Sequence, residues 1–430
     1  MRDLCCRLLV ALAMVWTVGC GAPRTDALLL RGDSPAAAEL VTQRVADVEL
    51  RLPAGFQVNL FAEGLGQARF MAFDPKGRLM VADLRGSVYT LPDEDHDGRA
   101  DRTIIFASGL RGSHSLTWYQ GKAYVAGTNQ VTEFTDADGD GRADSQRVII
   151  SGLPSGGHFT RTIVFGPDGK LYLSVGSSMN VGAEQDPRRA TILQYNADGT
   201  GLKIFATGLR NAVGLAFDPA TKQLWATDNG RDNLGDNLPP DELDIVRPGG
   251  FYGWPYYYGN NVPDPGFNRR PAPGLPPALG FQAHSAPLGL AFYTGRQFPQ
   301  EYWGDLFVCF HGSWNRSVPT GYKVVRVRVK DNRPVSYEDF VTGFLTDSGV
   351  KGRPAGVIVG ADGALYFSDD SRGRIYRISR KYENRDSHLF LEGPLNSSKW
   401  GQLPIYLGYF ERASGRKIGT VTYFNWFPLA

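Results

Sequence analysis

The sequence predicts an all-β fold, a six-bladed β-propeller. A strand–turn–strand unit recurs six times, turn dipeptides separate runs of alternating apolar residues, and helical periodicity is almost absent after residue 50. The units are "RFMAFDPKGRLMVADLRGSVYTL", "SLTWYQGKAYVAGTNQVTEF", "RTIVFGPDGKLYLSVGSS", "VGLAFDPATKQLWATDNG", "LGLAFYTGRQFPQEYWGDLFVCF" and "AGVIVGADGALYFSDDSRGRIYRI". Each has an apolar strand, a D-P-x-G or related turn and a second alternating strand, and most add a third. Units begin about 45 residues apart, and the spacing lengthens toward the C-terminal half. A strand-only repeat of this length cannot bury its faces alone, whereas sheets set around a central channel bury them on their neighbours. A β-sandwich leaves the repeated hairpin unexplained.

The remaining elements follow in chain order. Residues 1–19 read as an export signal of the lipoprotein type: a basic start, an apolar run from Leu8 to Val18 too short for a permanent span, then Gly19-Cys20. Cys20 is the expected lipid anchor, although Thr17 stands where such sites usually have Leu. The expected location is therefore the bacterial periplasm or cell surface. Residues 20–49 read as a polar linker and 50–380 as the propeller, which closes when "GFQVNLFA" at 55–62 joins the last blade after residue 378. Inserts rich in Gly, Pro, Asn and Tyr run from Asn229 to Ala286, and long loops on a rigid scaffold carry binding surfaces. Residues 381–430 form an extension of unknown role.

Composition removes several function classes. The formal charge of +2 becomes +1 once Arg2, Arg7 and Asp3 leave with the signal, so nucleic acid is not an expected partner. Only Cys309 remains unmodified after export, and in "DLFVCF" it reads as a small buried apolar residue, so no disulfide framework is available. No G-x-G-x-x-G follows a strand and opens a helix, which argues against a nucleotide cofactor. No C-x-x-C-H attaches a haem.

Two segments, "DEDHDGRAD" and "DADGDGRAD", carry Asp93, Asp95, Asp97 and Asp101, and Asp136, Asp138, Asp140 and Asp144, each with Gly at the sixth position. These are the first nine positions of a calcium loop. The bidentate Glu of position 12 is replaced by Ile104 and Arg147, so weak or structural calcium and plain solvated turns both stand. Both segments are expected between strands of successive blades. His114 and His158 each precede the first strand of a unit, where propeller loops reach the channel mouth. Arg210 and Asn211 hold the corresponding point in the next unit and Arg353 in the last. A ring, two guanidinium groups and an amide converging at one mouth suit an anionic planar ligand and a proton acceptor.

These residues resemble the soluble pyrroloquinoline-quinone (PQQ)-dependent sugar dehydrogenases, including the aldose and sorbosone dehydrogenase-like proteins. The resemblance covers about residues 50–380 and rests on "GGHFTRTIVFGPDGKLYLSVGSS", "GLRNAVGLAFDP", "DNGRDNLGDNLPPDEL", "GGFYGWPY", "HSAPLGLAFY", "FHGSWNRSVPTGYKVVRV" and "GRPAGV". It implies His158 as general base and Arg210 with Asn211 as cofactor holders that polarise the reacting carbonyl. It also implies Arg353 as a clamp on a cofactor carboxylate, and Gly230 and Arg231 as carbonyl ligands of the calcium on the quinone. Asp241 and Glu242 match an acidic pair used for structural calcium. Three departures favour the sorbosone-like branch. Ser177 stands where the glucose enzymes orient the base with an acid, His311 or Arg316 takes the place of a cofactor lysine, and Ala355 replaces a second clamp arginine.

The expected activity is oxidation of a sugar or related alcohol with hydride transfer to PQQ in the presence of Ca²⁺, the electrons leaving to a separate acceptor. Two other classes stand beside it. A calcium-dependent lactonase needs side-chain carboxylates on a central ion, for which Asp228 and Asp232 are candidates. A non-catalytic binding propeller needs no converging His158, Arg210 and Arg353.

Overall fold

The computed structural model of the protein describes residues 39–381. The signal, Cys20, the linker up to residue 38 and residues 382–430 lie outside the described residues. Six sheets form the ring. Their inner strands are Ala68–Phe73, Ser115–Tyr119, Ile163–Phe165, Ala212–Phe217, Pro287–Phe292 and Pro354–Val359, which open blades 1 to 6 in order.

The second strand of each blade shows why the ring is stable. Leu79–Asp83, Leu171–Val175, Leu224–Asp228, Leu306–Phe310 and Leu365–Asp369 are buried at every position, because a blade packs on a neighbour on both sides. Alternate residues then serve opposite seams. Leu79 and Val81 pack toward blade 6, whereas Met80 and Ala82 pack toward blade 2. Tyr172 and Leu171 divide in the same way between blades 4 and 2. Cys309 lies fully buried in the seam of blades 5 and 6, and burial pushes its thiol well up.

Ring closure is as expected. Strand Phe56–Ala62 pairs antiparallel with Arg374–Arg380, with Val58 opposite Ile378, and so completes blade 6. The last residues of the expected linker differ. Leu40–Val45 and Val48–Pro53 form a hairpin whose Val45, Val48, Leu50 and Leu52 pack with Phe340, Val341 and Phe344 on blades 5 and 6. The period-two alternation of "VELRLP" is the cause, since it gives the hairpin one apolar face. The two Asp-rich loops also sit differently. Each joins the third and fourth strands of one blade, blade 1 for residues 93–101 and blade 2 for residues 136–144, rather than successive blades. Among the described residues no helix is long and apolar enough to cross a membrane.

Candidate functional site

Loops entering the inner strands meet at one end of the channel and enclose a cavity of about 320 Å³. His158, Arg210, Asn211, Gly230 and His311, all placed at the cofactor by the sequence reading, line it, and so does Asp241, which was expected at a structural calcium instead. Asp232, the candidate ligand of a central ion in the lactonase reading, also lines it, and Arg69, His284, Trp314 and Asn315 join them without a signal in the sequence. Leu84, Val213 and Leu288 supply apolar wall, and Ala355 packs beneath Val213 and Leu288.

His158 is held by backbone. Its loop turns at Gly157, with φ +58°, where a Cβ would strike the Ser178 main chain. Gly176 lies so close that a Cβ there would collide with both the His158 side chain and Asn211 Oδ1. Arg161, fully buried, donates to the carbonyls of His158 and Thr160 at 2.9 and 2.6 Å and to that of Pro154, so it braces the loop. Nδ1 of His158 lies 3.0 Å from the Ser177 carbonyl and 2.9 Å from its hydroxyl. The carbonyl only accepts, and the hydroxyl already donates to Met179 O at 2.8 Å, so Nδ1 carries the proton and Nε2 keeps its lone pair. The Ser177 position therefore fixes the tautomer through neutral groups.

Burial, with Arg210 nearby, lowers the His158 pKa to about 4. The neutral imidazole then persists on lowering the pH until that value is reached, where an ordinary histidine would protonate near 6.5. The pH profile of kcat/KM is expected to stay level between about pH 5 and 7 and to bend down only near 4. Ser177→Asp is expected to move that acidic limb upward, because a carboxylate facing Nδ1 favours the imidazolium. Superimposable profiles for the two proteins would count against His158 as the titrating base.

Arg210 is saturated by the protein. Nε donates to Asn180 O at 2.9 Å, Nη1 to Asn229 O and Gly230 O at 3.1 and 2.8 Å, and Nη2 to Asn180 Oδ1 and Asp232 Oδ2 at 3.0 and 3.3 Å. It ties the loop after blade 3's second strand to the insert of blade 4 and leaves its charge facing the cavity. The carbonyl of Gly230, matched by resemblance to a calcium ligand, is thus shared with a guanidinium. Arg231 turns to Asp264, at 2.7 Å. Among the described residues the Asn211 side-chain amide has no partner, and it is available to a ligand.

The opposite wall is a polar chain. His311 Nε2 lies 3.0 Å from both oxygens of Asp370, Asp370 pairs with Arg69, and Arg69 Nη2 lies 3.2 Å from His114 Nε2. Burial opposes the charge on Asp370, yet the His311 hydrogen bond and the Arg69 cation hold its pKa down to about 2. Burial lowers the His311 pKa against the pull of Asp370. Arg69 Nε is buried without an acceptor, an orphaned donor at a cavity wall that an anionic ligand would satisfy. His114 is fully buried, with Nδ1 3.1 Å from Arg161 O, and is structural. Arg353 and Arg316 do not line the cavity. Arg353 donates to the carbonyls of His311 and Gly312, and Arg316 to those of Asp236, Ala283 and Val318, so both brace the blade 5 loop that carries His311 and Trp314.

Asp241 and Glu242, adjacent in one strand, face opposite ways. Asp241 accepts from Gly230 N and Ala286 N, each at 2.9 Å, beside the mouth cavity. Glu242 instead meets Asp228, directly opposite it across the strand pair, and Asp244, two residues on. One ligand oxygen from each of these three lies within 4.8 Å of the others. Burial raises Asp228 to about 7, and burial with mutual repulsion drives Glu242 and Asp244 well above the carboxylate range. Both oxygens of Asp244 are buried without a partner. A second cavity of about 20 Å³, enough for one water-sized occupant, adjoins Asp228 and Glu242. Three carboxyls on a buried face ionise together only beside a counter-cation, and this donor set fits a hard divalent ion.

Comparison with known proteins adds four findings. The family described as Domain of unknown function (DUF7133) matches residues 44–376. An uncharacterized protein of Borreliella burgdorferi is 40% identical over 217 residues, 49% of this chain and 57% of that protein, so the match spans little more than half of that relative. The pyrroloquinoline quinone-dependent sugar dehydrogenase of Hypocrea jecorina is 24% identical over 395 residues, 77% of this chain and 89% of that one. Among solved structures, the holo form of the pyranose dehydrogenase PQQ domain from Coprinopsis cinerea superposes with a TM-score of 0.69. It is 22% identical and covers 78% of this chain and 98% of that one, which shows the shared propeller fold.

Proposed function

Because the chain belongs to the DUF7133 family, whose match takes in strands of all six blades, and its relatives include a quinone-dependent sugar dehydrogenase, we propose that it is a quinoprotein oxidoreductase. It oxidises a sugar or related alcohol, of the aldose or sorbosone-like kind, and uses PQQ and Ca²⁺. The observation that carries the reading is His158, with Nδ1 locked to Ser177 and Nε2 bare, in a cavity walled by Arg69, Arg210 and the free amide of Asn211.

Bound PQQ would supply a hydride-accepting, two-electron group, and Ca²⁺ the Lewis acidity that makes it more electrophilic. Arg69, with an unfilled Nε–H, and the charge of Arg210 would hold its carboxylates, and Asn211 would donate to its ring oxygens. Gly230 and Arg231 would offer carbonyl oxygens to Ca²⁺, Gly230 retaining one lone pair beside the Arg210 bond. His158 Nε2 accepts the hydroxyl proton, so the substrate alcohol loses one hydride and one proton and becomes a carbonyl. Trp314, 77% exposed at the cavity rim, presents a flat apolar face suited to the C–H face of a sugar ring. The electrons pass to a separate acceptor, and export with a lipid anchor at Cys20 places this chemistry in the periplasm or at the cell surface.

The lactonase reading is less well served. The carboxylates lining the mouth, Asp232 and Asp241, have both oxygens engaged by protein donors, and Asp228 faces the buried cluster. The test is dye reduction by the purified full chain with a panel of aldoses, with and without added PQQ and Ca²⁺. Activity is expected only with both, and chelation is expected to abolish it. Sugar oxidation without quinone, or lactone hydrolysis with Ca²⁺ alone, would overturn the assignment.

A further inference from the structure

The two Asp-rich loops lie outside the catalytic site and are built alike. In each, the carboxylate at the first position accepts the amide at the sixth, Gly98 N to Asp93 at 3.1 Å and Gly141 N to Asp136 at 3.0 Å. The last accepts the amide at the second, Glu94 N to Asp101 and Ala137 N to Asp144, both at 2.6 Å. In the first loop, ligand oxygens of Asp93, Asp95 and Asp101 gather within 4.8 Å of one another, and those of Asp136, Asp138 and Asp144 do so in the second.

Those internal bonds alone would describe a solvated turn. The unfilled oxygens indicate more. The Asp136 side chain is only 3% exposed, its Oδ2 is taken by Gly141 N and Arg78, and its Oδ1 is out of water's reach with no donor. Asp93 repeats this, with Oδ2 bonded to Gly98 N and Oδ1 buried and unpartnered. A buried carboxylate oxygen without a donor is costly, and two copies carry the same defect at the same loop position. A hard cation satisfies it, and carboxylates in this spacing suit Ca²⁺.

Each loop leans on the preceding blade. Gly98 O accepts from Asn59 Nδ2 at 2.6 Å and Ala100 N donates to Phe61 O at 2.8 Å, both on the strand that closes the ring. Gly139 O accepts from Arg78 at 3.1 Å, Gly141 O from Thr90 at 3.0 Å, and Ala143 N donates to Phe106 O at 3.0 Å, all on blade 1. We propose that the loops at 93–101 and 136–144 each bind one Ca²⁺ and act as clasps between blades 6 and 1 and blades 1 and 2, independent of any catalytic calcium.

The test measures bound calcium by equilibrium dialysis of the full chain against millimolar Ca²⁺, beside Asp95→Asn/Asp97→Asn, Asp138→Asn/Asp140→Asn and the variant carrying all four changes. These four side chains are exposed, so the variants keep the fold, which circular dichroism checks. Each pair is expected to remove one Ca²⁺ per chain and the fourfold variant two. The rise in unfolding temperature that Ca²⁺ gives the wild type is expected to shrink stepwise. Stoichiometry and thermal shift equal to wild type in the fourfold variant would overturn the proposal. Calcium-dependent dye reduction retained by that variant separates this outcome from any failure of the catalytic reading.

Discussion

Replacing His158 by alanine is expected to lower kcat by about 10²–10⁴-fold, the range for loss of a positioned general base, with PQQ binding retained. The argument rests on the tautomer. Because the Ser177 carbonyl takes the Nδ1 proton, the only basic nitrogen of the ring is Nε2, which has no partner among the described residues. His284 has both ring nitrogens engaged, Nε2 2.9 Å from Gly235 O and Nδ1 3.3 Å from Asn315 Nδ2, and His311 is tied through Nε2 to Asp370. His158→Gln is expected to fare no better, since an amide cannot hold a proton at neutral pH. Single-turnover reduction of bound quinone, followed by its absorbance, separates loss of chemistry from loss of cofactor. An unchanged kcat with quinone still bound would return His158 to a structural role.

Arg210→Ala is expected to cost about 3–5 kcal/mol of stability as well as activity, because it removes one partner of a largely buried ion pair. The side chain is 7% exposed and its donors serve Asn180, Asn229, Gly230 and Asp232. Without it, Asp232 loses its cation, and the segments at 180 and 229–232 lose their common tie. Arg210→Lys is expected to recover little, since one ammonium cannot reproduce a planar fork that reaches several acceptors. Thermal unfolding without cofactor measures the structural part, and the PQQ dissociation constant measures the rest. A variant as stable as wild type but unable to bind quinone would make Arg210 a pure ligand contact.

Much of this is legible in the sequence. The ring, the closing strand at 55–62 and the position of His158, Arg210 and Asn211 at one mouth all follow from repeats and loop equivalence. The hairpin at 40–53 was passed over because it lies outside the repeats, although "VELRLP" shows its alternation. Arg353 and Arg316 were assigned to the ligand on type and position. Arg353 donates to the carbonyls of His311 and Gly312, and Arg316 to those of Asp236, Ala283 and Val318, contacts that no spacing rule reveals.

What the sequence by itself determined is the local grammar: strand period, turn residues and the six-fold repeat, which together require sheets packed on both faces and so a closed ring. Strand alternation is equally local, yet which face meets which neighbour depends on packing between blades. Only the tertiary structure decided that Asp241 turns to the mouth while Glu242 joins Asp228 and Asp244. It alone brought Arg69 to Asp370, 301 residues away, and left Arg69 Nε open. The physical reason is that a propeller joins chain ends and successive blades around one axis, so its charged contacts are set by ring closure and carry no signature in neighbouring residues.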